Sequence, residues 1–209
     1  MIMFIINEEV LVNILICKFV RTKLDNNLNK SIIGGIKSMA FEKEFNKEKF
    51  KNVLHYIIHK CGSNPNVGKT LIFKLLYFSD FNYFELYEKP LTNETYRRLP
   101  HGPAPTHFDI AVDELVKEEK ITVNPKPLYL DRLQYRYTSL KEPVIDFNSE
   151  ELNVIDEVIE KLSSMNATQI SEYSHGDMPW RAAEDYQLMK YSFVFYRDPQ
   201  YRVRIYDSD

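Results

Sequence analysis

The hydrophobic and polar positions of this chain repeat with helical spacing over most of its length. Apolar residues spaced i, i+3 and i+4 begin at Phe50 and continue to Ile58, and Gly62 ends the run. Thr106 and Ser149 stand at the start of later runs, where we expect each to cap a helix. Further helices are predicted over these stretches: about 68–84, about 106–119, about 149–162, and two short ones that begin at Asn166 or Thr168 and at Pro179.

Two short stretches carry β signals instead. Ile121–Val123 ends before a proline, and Gln134–Thr138 alternates polar and aromatic residues, so we expect a small antiparallel hairpin or wing. The tail over residues 186–209 is predicted as a helix followed by a strand. The predicted fold class is therefore mainly α, a compact multi-helix domain with a small β-hairpin or wing.

The length of 209 residues fits one domain with room for a tail. Residues 1–38 differ from the rest, because an Asn-rich stretch and a Gly-Gly pair interrupt their apolar pattern, and Met39 is a plausible natural start. We expect 1–38 to be an N-terminal extension, and whether it belongs to the natural protein stays open. Residues 39–209 are expected to form a single helical domain with a C-terminal tail.

Composition and charge narrow the classes of function. The chain has 27 basic and 30 acidic residues and a net charge of −3, which argues against a nucleic-acid partner and disfavours a transcriptional regulator. Cys17 and Cys61 form neither a disulfide framework nor a metal motif, as expected in a reducing compartment. The apolar N-terminal stretch is too short to span a bilayer and lacks the order of a secretory signal. We therefore expect a cytoplasmic protein without a membrane partner.

Three patterns resemble nucleotide-binding, zinc-binding or catalytic motifs, but each lacks a feature that its motif requires. Gly68–Thr70 has the end of a nucleotide-binding loop, but the first glycine of that motif is not at the required distance. His55 and His59 have zinc-ligand spacing but lie away from the apolar stripe, so we expect two solvated histidines. Ser174 and His175 are neighbours on a helix and point about 100° apart, which is poor geometry for a nucleophile and its base. We predict no metal, no cofactor and no catalytic residue.

Three other motifs follow one another at domain-scale spacing: Lys74–Asp80, Leu99–Pro105 and Tyr173–Ala183. The second contains His101-Gly-Pro103, whose glycine and prolines predict a rigid loop. This loop is either a turn that leads into a helix or a preformed recognition surface.

Tyr77 and Asp80 are polar residues in an otherwise apolar stripe of the first motif. At i, i+3 spacing they lie near each other, and we expect them to line one polar cleft with His101 and His175. Such a cluster is equally compatible with a buried network and with a ligand site.

Together the three motifs resemble the Panacea antitoxin domain, also called the SocA-like or phage-associated GepA-like domain. The resemblance covers about residues 45–185 and is specific because all three motifs occur in order. It designates a set of signature residues: Lys74, Leu75, Tyr77, Asp80, His101, Gly102, Pro103, Ser174, His175 and Trp180.

The resemblance implies a mostly helical antitoxin that binds a toxin encoded beside it and holds that toxin inactive. At least one related protein is instead a proteolytic adaptor that delivers its toxin to a AAA+ protease. The resemblance implies no enzymatic activity. The oligomeric state and the identity of the toxin stay open.

On this interpretation, an exposed aromatic surface covers the toxin, since large rings gain contact energy at low entropic cost. The rival from another class is a small-molecule-binding or hydrolytic enzyme that uses His101, His175 and Asp80. The residues expected to contact a partner are Tyr83, Phe84, Tyr87, Tyr96 and Trp180.

Overall fold

The first helix contains the whole predicted apolar run from Phe50 to Ile58. In the computed structural model, which describes residues 44–127 and 133–206, the Asn46 side chain accepts a hydrogen bond of 3.1 Å from the Lys49 amide and caps helix α1 (Lys47–Cys61). All described residues belong to the unit Lys43–Asp209. The predicted extension 1–38, with Cys17, lies outside the described residues.

Six helices, two hairpins and two short 3₁₀ turns make up the described chain, which confirms the mainly α fold class. In chain order after α1 they are α2 (Lys69–Tyr87), β1 (Tyr96–Leu99), β2 (Gly102–Pro105), α3 (Phe108–Lys117), β3 (Ile121–Pro127), β4 (Leu133–Ser139), α4 (Ser149–Leu162), α5 (Ala167–His175), α6 (Met178–Ala182) and the 3₁₀ turns Tyr191–Tyr196 and Pro199–Tyr201.

Helix α2 lies at the centre of the fold. It contacts α1, α4, α5, strand β2 and the first 3₁₀ turn, so residues on nearly every side of it are buried. The apolar residues of α1 that were predicted to face inward, from Phe50 to Ile58, are all at most 1% exposed. The hydrophobic core therefore surrounds α2, and the polar residues of this helix must find partners inside the protein.

Both hairpins are antiparallel. The pairing of β3 with β4 confirms the predicted wing, although β3 continues through Pro125 to Pro127, further than expected. The pairing of β1 with β2 was not predicted. It turns the expected rigid loop into a hairpin whose second strand, Gly102–Pro105, is buried along its whole length.

Two predicted caps are wrong. Asn148 caps α4 in place of Ser149, since its side chain accepts from the Glu151 amide at 2.9 Å while the Glu151 carboxylate accepts from the Asn148 amide. Thr106 does not cap α3, because its hydroxyl donates to the Glu94 carboxylate at 2.9 Å.

The prediction for the tail is also wrong. Over residues 186–206 the structure contains two 3₁₀ turns and an isolated bridge between Leu188 and Arg97, but no strand. The conformation of the tail depends on contacts with β1 and α2, which are distant in sequence and cannot be predicted from the periodicity of the tail itself.

Candidate functional site

Residues of the first two motifs and of helix α5 meet at the backbone carbonyl of His101. The Lys74 ammonium on α2 donates a hydrogen bond to this oxygen, and the Ser171 hydroxyl on α5 donates to it at 3.1 Å. Ser174 is fully buried one turn further along α5 and donates to the Ser171 carbonyl at 2.8 Å. The turn between β1 and β2 is therefore held from both sides by the central helix and by α5.

Gly102 makes this close approach possible. Its φ of +96° lies in the region that favours glycine. A Cβ atom built there would lie 2.3 Å from Ser174 Oγ and 2.7 Å from Lys74 Cε. Lys74, Gly102 and Ser174 are thus packed closely together, and no side chain larger than that of glycine fits at position 102.

Lys74 is an unusual buried cation. It is 1% exposed, and no carboxylate in the described part of the chain forms an ion pair with it. Burial lowers the pKa of its ammonium to about 7. The lysine therefore contributes a hydrogen-bond donor, and at neutral pH a partial positive charge, beneath the His101 turn.

A second buried network joins α2 to the tail. Arg197, which is 1% exposed, donates to both carboxylate oxygens of Asp177 at 2.9 and 2.7 Å and to Glu85 at 2.8 Å. The Tyr77 hydroxyl donates to Asp177 at 2.8 Å, and burial together with the Asp177 charge holds the pKa of this phenol well above its usual range. Sequence reasoning missed Arg197, because nothing in the local sequence distinguishes it from Arg202 and Arg204 in the same aromatic tail.

A third network surrounds Asp80. Its carboxylate accepts from the amide and hydroxyl of Thr92 at 2.8 and 2.7 Å and from the Tyr96 hydroxyl at 2.7 Å. Burial raises the pKa of Asp80 to about 6, although these hydrogen bonds act in the opposite direction. The aspartate ties the segment after α2 back onto that helix.

The four residues that were expected to line one polar cleft therefore lie in different places. Tyr77 and Asp80 are at most 1% exposed and belong to separate networks, so neither reaches the surface beside the two histidines. His101 and His175 do come together, since both line one surface cavity of ≈ 520 Å³.

At that cavity, His175 stacks on Trp180. Their ring centroids are 4.2 Å apart with an interplanar angle of 22°, and the Arg98 guanidinium lies 4.0 Å from the Trp180 centroid. Two groups so close to one centroid cannot share a face, so the indole lies between them. Burial lowers the pKa of His175, and the positive charges of Lys74, Arg98 and His101 lower it further, while a hydrogen bond to the Pro100 backbone raises it.

Two of the five proposed contact aromatics are not on the surface. Tyr83 and Tyr96 are 1% and 0% exposed, so the expectation that they are exposed is wrong. Tyr83 lies on α2, which is covered on more sides than its sequence pattern indicates, and Tyr96 on β1 packs against Tyr77 and Phe81 of that helix. Phe84, Tyr87 and Trp180 are half-buried and remain accessible in part. Exposed rings that sequence reasoning did not select are Tyr135, Tyr186 and Tyr196.

The histidine pair on α1 also differs from expectation. His59 is exposed as predicted, but His55 is 2% exposed, because β4 covers it and Ser139 Oγ lies 3.0 Å from its Nε2. Burial lowers the pKa of His55. Within residues 44–127 and 133–206, no group of three or more His, Cys, Asp or Glu side chains has the arrangement of a metal site.

The geometry defines a helical domain in which Lys74 and Ser171 hold the His101 turn against α2 and α5. The family model described as "Antitoxin SocA-like, Panacea domain" matches residues 72–181, just over half of the chain, and the chain belongs to this family. No curated protein and no solved structure matches it. Among the described residues, no helix has the length and apolar character needed to cross a bilayer.

Proposed function

We propose that this protein is the antitoxin of a toxin–antitoxin pair and neutralises its partner by direct protein–protein binding, without making or breaking a bond. The observation that carries the proposal is membership of the SocA-like Panacea family. A toxin encoded by the adjacent gene is the proposed partner, and the cytoplasm is the proposed site of action. Residues 39–209 are the proposed binding domain.

The use of the polar signature residues supports binding over hydrolysis. The Ser174 hydroxyl donates a hydrogen bond to a backbone carbonyl, and Asp80 accepts three hydrogen bonds inside the core. A hydrolytic site with Asp80, His101 and His175 requires these side chains to converge, and Asp80 is held elsewhere. The two histidines beside the ≈ 520 Å³ cavity are left without a nucleophile from the signature set.

Accessible aromatic rings supply candidate contacts for the toxin. Phe84, Tyr87 and Trp180 keep their proposed role because each is partly exposed. Trp180 has the strongest geometric support, since Arg98 and His175 hold its ring in a fixed orientation and lower the entropy lost on binding.

The decisive experiment is expression of the protein encoded by the adjacent gene, alone and together with this chain. We expect the neighbour to arrest growth alone and growth to recover on co-expression, with an unrelated helical protein as the control. Toxin half-life in the same cells separates the two modes of neutralisation, because a proteolytic adaptor shortens it and sequestration does not. A harmless neighbour, or growth that stays arrested, contradicts the proposal.

A further inference from the structure

Helix α4 carries an acidic stripe that its own folding does not explain. Its 14 residues include five acids and one base, in a chain whose net charge is only −3. Glu150, Glu157 and Glu160 are exposed and recur at helical spacing, so they share one face. Within the described chain none of the three forms an ion pair. Glu160 lies in the last turn, where the helix dipole disfavours negative charge, so helix stability does not account for it.

The Tyr87 ring lies beside this stripe, in the last turn of α2. Burial raises the pKa of the Tyr87 phenol, and the charges of Glu150 and Glu157 raise it further, since both carboxylates are near the ring. Helix α2 packs against α4 and has no basic residue in its last turn, so its carbonyl end adds partial negative charge at the same place. We call the half-buried ring and the three acids, Tyr87, Glu150, Glu157 and Glu160, the Tyr87–α4 surface.

A cation of the chain itself already occupies one end of the Tyr87–α4 surface. The Lys89 ammonium lies 5.7 Å from the centroid of the Tyr83 ring and 5.9 Å from that of the Tyr87 ring, which are cation–π distances. Glu150 and Glu151 attract it as well. Lys89 is an exposed side chain and forms no ion pair within the described residues, so a cation from another protein can take its place. The rings and carboxylates thus bind a positive charge, which is independent of the acidic stripe itself.

The other cations nearby are engaged elsewhere. Lys49 forms an ion pair with Glu151. Arg204 forms one with Glu88 at 2.7 Å. Lys161, the one base of α4, lies 5.8 Å from the centroid of a tyrosine ring on α5. The charge of the stripe is therefore not neutralised by the described part of the chain.

The length of the stripe indicates a polypeptide partner. Glu150 and Glu160 are separated by about 15 Å along the helix axis, at 1.5 Å per residue. A single ion cannot contact both ends, and no metal site of three or more His, Cys, Asp or Glu side chains occurs in the described part of the chain. A cavity of ≈ 540 Å³, lined by Tyr83, Lys89 and Glu151 among others, lies at the Lys89 end and leaves room for a partner side chain.

We propose that the toxin docks on the Tyr87–α4 surface with a basic segment. An arginine or lysine side chain of the toxin lies on the Tyr87 ring in place of Lys89, and further basic side chains pair with Glu157 and Glu160. This assignment rests on the proposed antitoxin function and specifies the chemistry of the contact. Opposite charges on the two proteins speed their encounter and fix the orientation of the complex.

Charge reversal on the stripe tests the assignment. Glu157→Lys replaces an exposed carboxylate by an ammonium group, which repels a basic partner. Asp113→Lys is the matched control, because Asp113 is also an exposed helical acid without an ion pair in the described chain, on α3, which packs against α1 and β3. Both substitutions change the net charge by the same amount, so any difference between them is local. Lys89→Gln removes the competing cation from the rings.

The probe is the protein encoded by the adjacent gene, purified from the co-expressed complex and titrated against each variant by calorimetry. We expect Glu157→Lys to weaken binding by about tenfold or more relative to Asp113→Lys. Lys89→Gln should tighten binding by about twofold or more, because the toxin cation no longer competes for the Tyr87 ring. Glu160→Lys is the second variant if Glu157→Lys melts at a lower temperature than the unmodified protein, since a cation suits the last turn of α4.

Three results overturn the docking assignment alone: Glu157→Lys binds as tightly as Asp113→Lys, Lys89→Gln binds more weakly than the unmodified protein, or Glu157→Lys changes the oligomeric state of the isolated chain in light scattering. The last result assigns the surface to a second copy of this chain. In all three cases the unmodified protein still binds and neutralises the toxin, so the antitoxin function stands. If the unmodified protein does not bind the toxin, the proposed function and the docking assignment fall together.

Discussion

At the scale of single residues, position 102 has the strictest steric requirement, since there is no room for a side chain beside Ser174 and Lys74. An alanine there combines an unfavourable φ of +96° with a Cβ only 2.3 Å from Ser174 Oγ. We expect Gly102→Ala to lower the free energy of unfolding by roughly 2–5 kcal/mol, the sum of backbone strain and overpacking. Urea denaturation followed by circular dichroism measures it.

Gly68 offers the control for this prediction. Its backbone is extended, and a Cβ there would meet only the flexible Gln134 side chain, at 3.1 Å or more. Gly68→Ala should therefore be nearly neutral, within about 1 kcal/mol. Equal effects of the two alanines would show that the contact of Gly102 with Lys74 and Ser174 has no special weight.

Lys74 predicts a distinctive dependence of stability on pH. The ordinary pKa of a lysine ammonium is 10.5, and that of Lys74 in the fold is about 7, so between these values the unfolded chain binds a proton that the folded chain lacks. Stability therefore rises with pH in this window. Relative to Lys74→Met, which has no such proton, the unmodified protein should gain stability from about pH 7 to about pH 9.5. Urea midpoints of both proteins across that range test the sign, and a constant or falling difference refutes it.

At the scale of elements, local signals predict those parts of the fold that local forces decide. Asn166, one of the two predicted starts of α5, caps that helix, and the alternation in Gln134–Thr138 gives a real strand. A hydrophobic stripe, however, reports burial on one face only. His55 lies opposite such a stripe and is still buried, because β4 covers it from a distant part of the sequence.

The same limit explains what the sequence reveals of the candidate site. It placed His101 and His175 together, and the structure agrees. It could not separate Tyr77 from Asp80, since helical spacing says which residues are neighbours but not which distant partner each one binds. The partner of Tyr77 lies 100 residues away at Asp177, and pairing at that distance is set by tertiary packing.

At this scale we predict the effect of removing Arg197, which joins the tail after α6 to helix α2. Its side chain is fully buried against two carboxylates, Asp177 and Glu85, and these charges outweigh burial and raise its pKa above the ordinary value. Arg197→Met leaves both carboxylates buried without a cation and should cost about 3–5 kcal/mol of unfolding free energy.

An exposed ion pair in the same part of the chain supplies the comparison. Arg181 contacts Asp198 at 2.8 Å, with both side chains about half exposed. Arg181→Met should cost at most about 1 kcal/mol. Chemical denaturation of the two variants side by side measures the difference, and similar losses would mean that the buried network does not anchor the tail.

At the scale of the whole molecule, the family span and the folded unit differ. The family model covers residues 72–181, yet the core that surrounds α2 is completed on one side by α1 and on the other by the tail. Phe50, Leu54 and Ile57 from α1 are 0% exposed, and so is Val194 from the tail. The family match thus contains the elements that meet at the His101 turn, while residues before and after the matched range complete the core.

We therefore expect an isolated fragment of residues 72–181 not to fold. Removing a single large core side chain costs about 2–5 kcal/mol, and this fragment lacks four or more of them as well as Arg197. Four such losses alone add up to about 8–20 kcal/mol, as much as or more than the roughly 5–15 kcal/mol that stabilises a typical domain. Far-ultraviolet circular dichroism and a thermal melt, run beside the full chain, provide the measurement. A cooperative melt of the fragment would show that α1 and the tail are accessory to the fold, and that the buried Arg197 network does not hold the domain together.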